Sequence, residues 1–233
     1  MNDTPDHEPA KRRAGEAAVE AVESGMVVGL GTGSTAAYAI RALGAAATDG
    51  LEIRGVPTSY HARNLAREAG IPLVSLEEAT PDIVIDGADQ IAVDSLSVIK
   101  GGGGAHTREK IVATAAGRLC IVADESKLSE QLSGVVPVET LPNARPLVAD
   151  RLREQGISPT VRMATAADGP VITEQGNVIL DCACGTIEDP PALASELSAI
   201  PGVVEHGLFL GFVDVAYVGG PDTVRRLVPR AER

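Results

Sequence analysis

Short apolar runs alternate with stretches of helical periodicity along most of the chain. Alanines and valines recur at helical spacing over residues 9–23, and Ser24-Gly25 ends the pattern before the apolar run 26–30. A helix followed by a buried strand is predicted. Gly31-Thr32-Gly33-Ser34-Thr35 reads as a loop, and 36–46 as the next helix with Ser34 or Thr35 at its N-cap. The alternation continues with strands at 51–56, 72–74, 82–85 and 119–123, and with helices at 59–69 and from Thr107 onward. Strands and amphipathic helices in this order imply a parallel sheet covered on both faces.

The texture changes after Leu132. Strand 135–139, helix 145–155, strand 158–163, a hairpin-like stretch into strand 177–182, helix 191–200 and strand 203–209 follow. That order is βαββαβ, a ferredoxin-like arrangement complete in itself, and the apolar run 213–218 is expected to rejoin the first sheet. The fold class is therefore α/β, an open, mostly parallel Rossmann-like sheet with an inserted α+β ferredoxin-like small domain. The expected division is 1–132 plus 210–233 for the catalytic domain and 133–209 for the small one, with both charged extremities frayed.

Composition narrows the partners. A net charge of −12 over 233 residues disfavours nucleic acid and anionic membranes, which require a basic face. No apolar run approaches the roughly 20 residues needed to span a bilayer, and residues 1–10 carry no signal-peptide core, so a cytoplasmic location is expected. The three cysteines, Cys120, Cys182 and Cys184, form no extracellular disulfide framework. Lysine is confined to Lys11, Lys100, Lys110 and Lys127. Excess carboxylate with so little surface lysine suits a salt-rich cytosol, where charges are screened within about 3 Å at molar salt.

Candidate chemistry is concentrated in four segments. Gly29-Leu30-Gly31-Thr32-Gly33 lacks a fitting dinucleotide fingerprint, because the next strand ends in Pro57-Thr58-Ser59 rather than an acidic residue. It lacks the Walker lysine too. What is left is a tight turn or a Thr-Gly-Ser-Thr anion nest at a helix N-terminus. Asp86-Gly87-Ala88-Asp89 follows a strand, where a turn and a ligand-binding loop are both consistent with the residues. Lys100-Gly101-Gly102-Gly103-Gly104 offers a cation and approachable backbone N–H groups, and it leads to Glu109, either a first-turn helix carboxylate or a proton-transferring base. Lys127, in Asp124-Glu125-Ser126-Lys127, is a second candidate phosphate contact. Cys182 and Cys184 have no partner pair for zinc, and no metal ligand set is evident.

Together with Gly176-Asn177-Val178-Ile179-Leu180-Asp181 and Pro201-Gly202-Val203-Val204-Glu205-His206-Gly207-Leu208-Phe209, these segments resemble ribose-5-phosphate isomerase of the A type, in its halophilic, haloarchaeal-like form. The resemblance runs from about Lys11 to Val218. It implies an aldose–ketose isomerase that interconverts ribose 5-phosphate and ribulose 5-phosphate in the pentose phosphate pathway, as a homodimer or homotetramer without metal or organic cofactor. Carried over residue by residue, it makes Glu109 the base and Lys100 the oxyanion-stabilising lysine, with Asp86 and Asp89 around the sugar. Thr32, Gly33, Ser34, Thr35, Gly87, Ala88 and Lys127 become ligand contacts, Gly101, Gly102 and Gly103 the backbone beneath the substrate, and Lys11 a further phosphate lysine. Gln90 and His106 depart from the family pattern, which bears on substrate preference and local pKa. Competing readings are a phosphosugar deaminase or lactonase on a related sheet, and a sugar-phosphate sensing domain of a regulator. The sensing domain lacks a helix-turn-helix and a basic face.

Overall fold

The computed structural model describes residues 7–229. The expected fraying of the extremities falls mainly on residues outside this range. In chain order the first half contains α1 (Glu8–Val19), β1 (Val27–Leu30), α2 (Ser34–Thr48), β2 (Arg54–Pro57), α3 (Tyr60–Glu68), β3 (Ile83–Gly87), β4 (Gln90–Ala92), β5 (Val98–Ile99), α4 (His106–Ala115) and β6 (Leu119–Asp124). The second half contains β7 (Leu128–Ser129), β8 (Ser133–Thr140), α5 (Arg145–Glu154), β9 (Ser158–Val161), β10 (Val178–Thr186), α6 (Pro190–Ala199), β11 (Val203–His206), β12 (Leu208–Phe209), β13 (Val213–Gly219) and β14 (Val224–Leu227).

The central sheet has the order β14-β13-β6-β3-β1-β2, parallel throughout except for the edge strand β14. Its inner strands are near-continuous apolar runs because both faces are covered. Val28, Leu30, Ile83, Ile85, Cys120 and Val122 pack on one side with alanines and leucines of α1, α2 and α3. Val27, Val84, Leu119, Ile121 and Ala123 point the other way, towards Val112 and Ala113 of α4 and Phe209 of β12. Strand order reverses between β1 and β3, which makes the crevice there the topological switch point where α/β sheets bind ligands.

The second sheet runs β11-β8-β10-β9, all antiparallel, and α5 and α6 add Val148, Leu152 and Leu197 to its core. This is the order of a split βαβ unit. A third, small sheet, β12-β5-β4-β7, joins the chain around the glycine run to the end of the 203–209 segment.

Several local expectations are corrected. The predicted strand 203–209 is two strands in different sheets, because Gly207 leaves β11 to donate to Pro137 O at 2.7 Å and to accept from Lys100 N at 2.8 Å. Predicted strand 72–74 is only a bridge between Gly55 and Leu73. The N-cap of α2 is Gly33, at φ +114°, rather than Ser34 or Thr35, and no side chain caps it. Ala105 rather than Thr107 caps α4, since Thr107 Oγ1 turns away to donate to Glu139 Oε2 at 2.5 Å.

Candidate active site

The loops after β1 and β3 meet at the switch point. Gly31 is there for space: a Cβ on it would lie 2.3 Å from Asp86 Oδ1. Without it the carboxylate could not fold back to accept Thr32 N–H at 2.9 Å and Gly87 N–H at 2.7 Å. Gly33 takes a positive φ that other residues rarely adopt, and opens α2 with unobstructed N–H groups. Thr32 Oγ1 lies 2.9 Å from Thr58 Oγ1 and donates to Ser59 Oγ at 2.7 Å, tying the loop to the start of α3.

Lys100 leaves β5 and carries its ammonium into this crevice. Its Nζ donates to Gly87 O at 2.5 Å and lies 3.1 Å from Asp86 Oδ2 and 3.2 Å from Glu109 Oε2. All three charged groups are 95% or more buried. Burial alone would discharge the lysine, but Asp86 and Glu109 outweigh it and raise its pKa above the ordinary value. Burial also pushes both carboxylates up, against the pull of Lys100. They share one cation unequally. Asp86 has two backbone N–H donors in addition to Lys100, whereas Glu109 Oε2 has no hydrogen bond of ordinary geometry. Burial and the neighbouring Asp86 therefore drive Glu109 up to about 8, and the pair keeps its negative charge on Asp86.

The cavity, about 150 Å³, is lined by Thr32, Gly33, Ser34, Thr35, Gly87, Ala88, Asp89, Lys100, Gly101, Gly102, Gly103, Glu109 and Lys127. Asp86 stands behind Lys100 and is 1% exposed. Asp89 is exposed at the rim, and its Oδ2 accepts Gly102 N–H at 2.7 Å. Lys11, brought in by α1, forms part of the same wall. His7 is there too, with Nδ1 3.3 Å from Asp124 Oδ1; nothing in the sequence pattern singled it out, since only tertiary packing of α1 brings it to the site. Gln90 lies away from the cavity, accepting Ser133 N–H at 2.7 Å. His106 is fully buried, and burial lowers its pKa to about 4, so it is neutral at pH 7. Among the described residues no group of three or more His, Cys, Asp or Glu side chains converges as a metal site, and no helix is long and apolar enough to cross a membrane.

A lysine between two buried carboxylates, with a glycine run on one side and an N–H nest on the other, suits proton transfer next to a developing oxyanion. The model of the family ribose 5-phosphate isomerase A (phosphoriboisomerase A) matches residues 54–223. The chain belongs to that family. It is 60% identical over 217 residues to ribose-5-phosphate isomerase A of Natronomonas pharaonis, covering 93% of this chain and 96% of that one. The Haloarcula marismortui protein of the same name is 56% identical, covering 94% and 96%. Among solved structures, ribose 5-phosphate isomerase A from Methanocaldococcus jannaschii superposes with a TM-score of 0.92 at 44% identity, covering 95% of this chain and 99% of that one. A D-ribose-5-phosphate isomerase in complex with phospho-erythronic acid gives a TM-score of 0.91 at 41% identity, covering 95% and 98%. The protein is an isomerase of this family.

Proposed function

We propose that this chain interconverts ribose 5-phosphate and ribulose 5-phosphate through an enediolate, with Glu109 moving the proton and Lys100 holding the oxyanion. The carrying observation is the unequal sharing of Lys100, which leaves Glu109 poised near 8 while Asp86 keeps the lysine charged. In the opened aldose, Glu109 takes the C2 proton, the C–H electrons form the C1–C2 double bond, and negative charge appears on O1. Lys100 meets that charge. Because the charge exists only after abstraction, the ammonium favours the transition state over the bound substrate. Glu109 then returns its proton to C1, the proton of the C2 hydroxyl passes to O1, and the ketose results.

The other contacts divide by chemistry. Asp89, at the rim, suits sugar hydroxyls, and the glycine run 101–103 brings backbone close to them. Ser34, Thr35 and the N-terminus of α2 suit the phosphate, joined by Lys127 and Lys11. The phosphosugar-bound relative supports this ligand class. We further take the enzyme as a cytoplasmic homo-oligomer, with 1–132 plus 210–233 as catalytic domain and 133–209 as ferredoxin-like domain.

The test is NMR of the protein with ribose 5-phosphate in D₂O containing KCl. Ribulose 5-phosphate and deuterium exchange at C2, both abolished in Glu109→Gln, are expected. Product formed at wild-type rate by Glu109→Gln would remove Glu109 from the role. Folded wild-type protein giving neither product nor exchange would refute the isomerisation itself.

A further inference from the structure

We propose that Arg162 is a positioning residue for this reaction: from the ferredoxin-like sheet it pins the glycine loop beneath the substrate by its carbonyl oxygens. This rests on the assignment of Lys100, Gly101–Gly103 and Glu109 to the active site. Arg162 follows β9, and its own backbone is fixed at both ends, Arg162 N–H donating to Ile179 O at 2.9 Å and Arg162 O accepting from Val171 N–H at 2.8 Å. Its guanidinium is used on two sides. Nε donates to Asp181 Oδ2 at 2.9 Å and Nη2 donates to Asp181 Oδ1, a forked pair with a residue of β10. Nη1 crosses to the other lobe and donates to Gly101 O at 2.7 Å and Gly102 O at 3.1 Å.

The consequence lies in peptide geometry. The carbonyl of Gly101 and the N–H of Gly102 belong to one trans peptide and point in opposite directions. The carbonyl is held by Arg162, with Gly104 N–H as a second donor at 2.9 Å, while the N–H is held by Asp89. That peptide is stretched between two anchors. The next one has its Gly102 carbonyl on Arg162 as well, so the N–H of Gly103 is aimed away from the guanidinium. Arg162 does not line the cavity, whereas Gly101, Gly102 and Gly103 do. Glycine peptides rotate more freely than any others. A clamp from behind therefore fixes which groups of this run face the sugar. Lysine cannot substitute, because an ammonium cannot grip both carboxylate oxygens and still reach two carbonyls in one plane.

The experiment compares Arg162→Ala, Arg162→Lys and Asp181→Asn with wild type and Glu109→Gln, measuring kcat and KM for ribose 5-phosphate, circular dichroism and thermal midpoint in KCl. Misplacing a loop by about 1 Å costs on the order of 100-fold, so Arg162→Ala is expected to lose about that in kcat with KM changed less than threefold. Arg162→Lys should recover little of it, and Asp181→Asn should lose less. Ethylguanidinium at constant ionic strength is expected to restore turnover to Arg162→Ala but not to Glu109→Gln, a rescue that a merely structural arginine would not show. If Arg162→Ala does not fold, Arg162→Lys and Asp181→Asn decide. Wild-type kcat in the folded variants, or turnover that tracks only the folded fraction without guanidinium rescue, overturns the proposal. An inactive wild type would instead overturn the isomerase assignment beneath it.

Discussion

Two glutamates are buried against the same helix, α4, and they have opposite surroundings. Glu139, from β8, is fully buried, and both of its oxygens are used. Oε2 accepts Thr107 Oγ1 at 2.5 Å, and Oε1 accepts Thr173 Oγ1 and Asn177 Nδ2, each at 2.8 Å. Glu109, on α4 itself, faces a lysine it must share with Asp86, and its Oε2 lacks a hydrogen bond of ordinary geometry. Glu139 is tied down by neutral donors on both oxygens, whereas burial and the neighbouring Asp86 raise the pKa of donor-poor Glu109. Burial is common to both, so the supply of donors separates the joint from the proposed base.

The largest test of this contrast exchanges the two losses. Glu109→Gln is expected to fold normally and lose about 10³-fold or more in kcat, near the upper range for a general base. Glu139→Gln should keep kcat within a few-fold. If steady-state assays show equal losses, the distinction fails. Next in size is stability. Glu139→Ala strands three donors, Thr107 on α4 and Thr173 and Asn177 just before β10, at about 1–3 kcal/mol for each buried group left unsatisfied. A clear drop in the urea midpoint is expected, with no such drop for Glu109→Gln.

The pH dependence sharpens the contrast further. The base acts unprotonated, so kcat/KM should rise with pH through about 8. The linked stability runs the other way. Glu109 holds its proton in the folded state up to about 8 but loses it near 4.5 when unfolded, so the native state binds more protons across that window. Raising pH from about 4.5 to 8 therefore costs wild-type stability that Glu109→Gln should not lose, which thermal midpoints across that range would show. The smallest effect expected is at the far end of the cavity. Lys127→Ala should raise KM for ribose 5-phosphate about tenfold, the value of one charge-assisted contact, with a milder fall in kcat. Unchanged affinity would free Lys127 from the phosphate.

Much of this was legible in the chain because it is local. The α/β alternation, the loop Thr32–Thr35, the glycine run after Lys100 and Glu109 all declare themselves within a few neighbouring residues. The third sheet did not, because β4, β5, β7 and β12 have two or three residues each, too few for a period to register. The edge strand β14 was hidden in a charged tail. His7 reaches the site, and Arg162, paired with Asp181, reaches the glycine run behind it, only through packing between distant segments. Thr107 looked like a cap because the residue type is right, but a stronger partner, Glu139, lies in another sheet.

The hydrogen bond from Lys100 N–H to Gly207 O also has a meaning in time. On the ribosome, the lysine and its glycines emerge long before the segment that fastens them, and β13 follows later still. Contacts between such distant segments are slow to form. A nascent chain thus holds Asp86, Lys100 and Glu109 well before their cluster is fastened. Synthesis must pass Gly207 before Lys100 N–H has its partner carbonyl, and truncation upstream of that residue leaves the lysine without its latch.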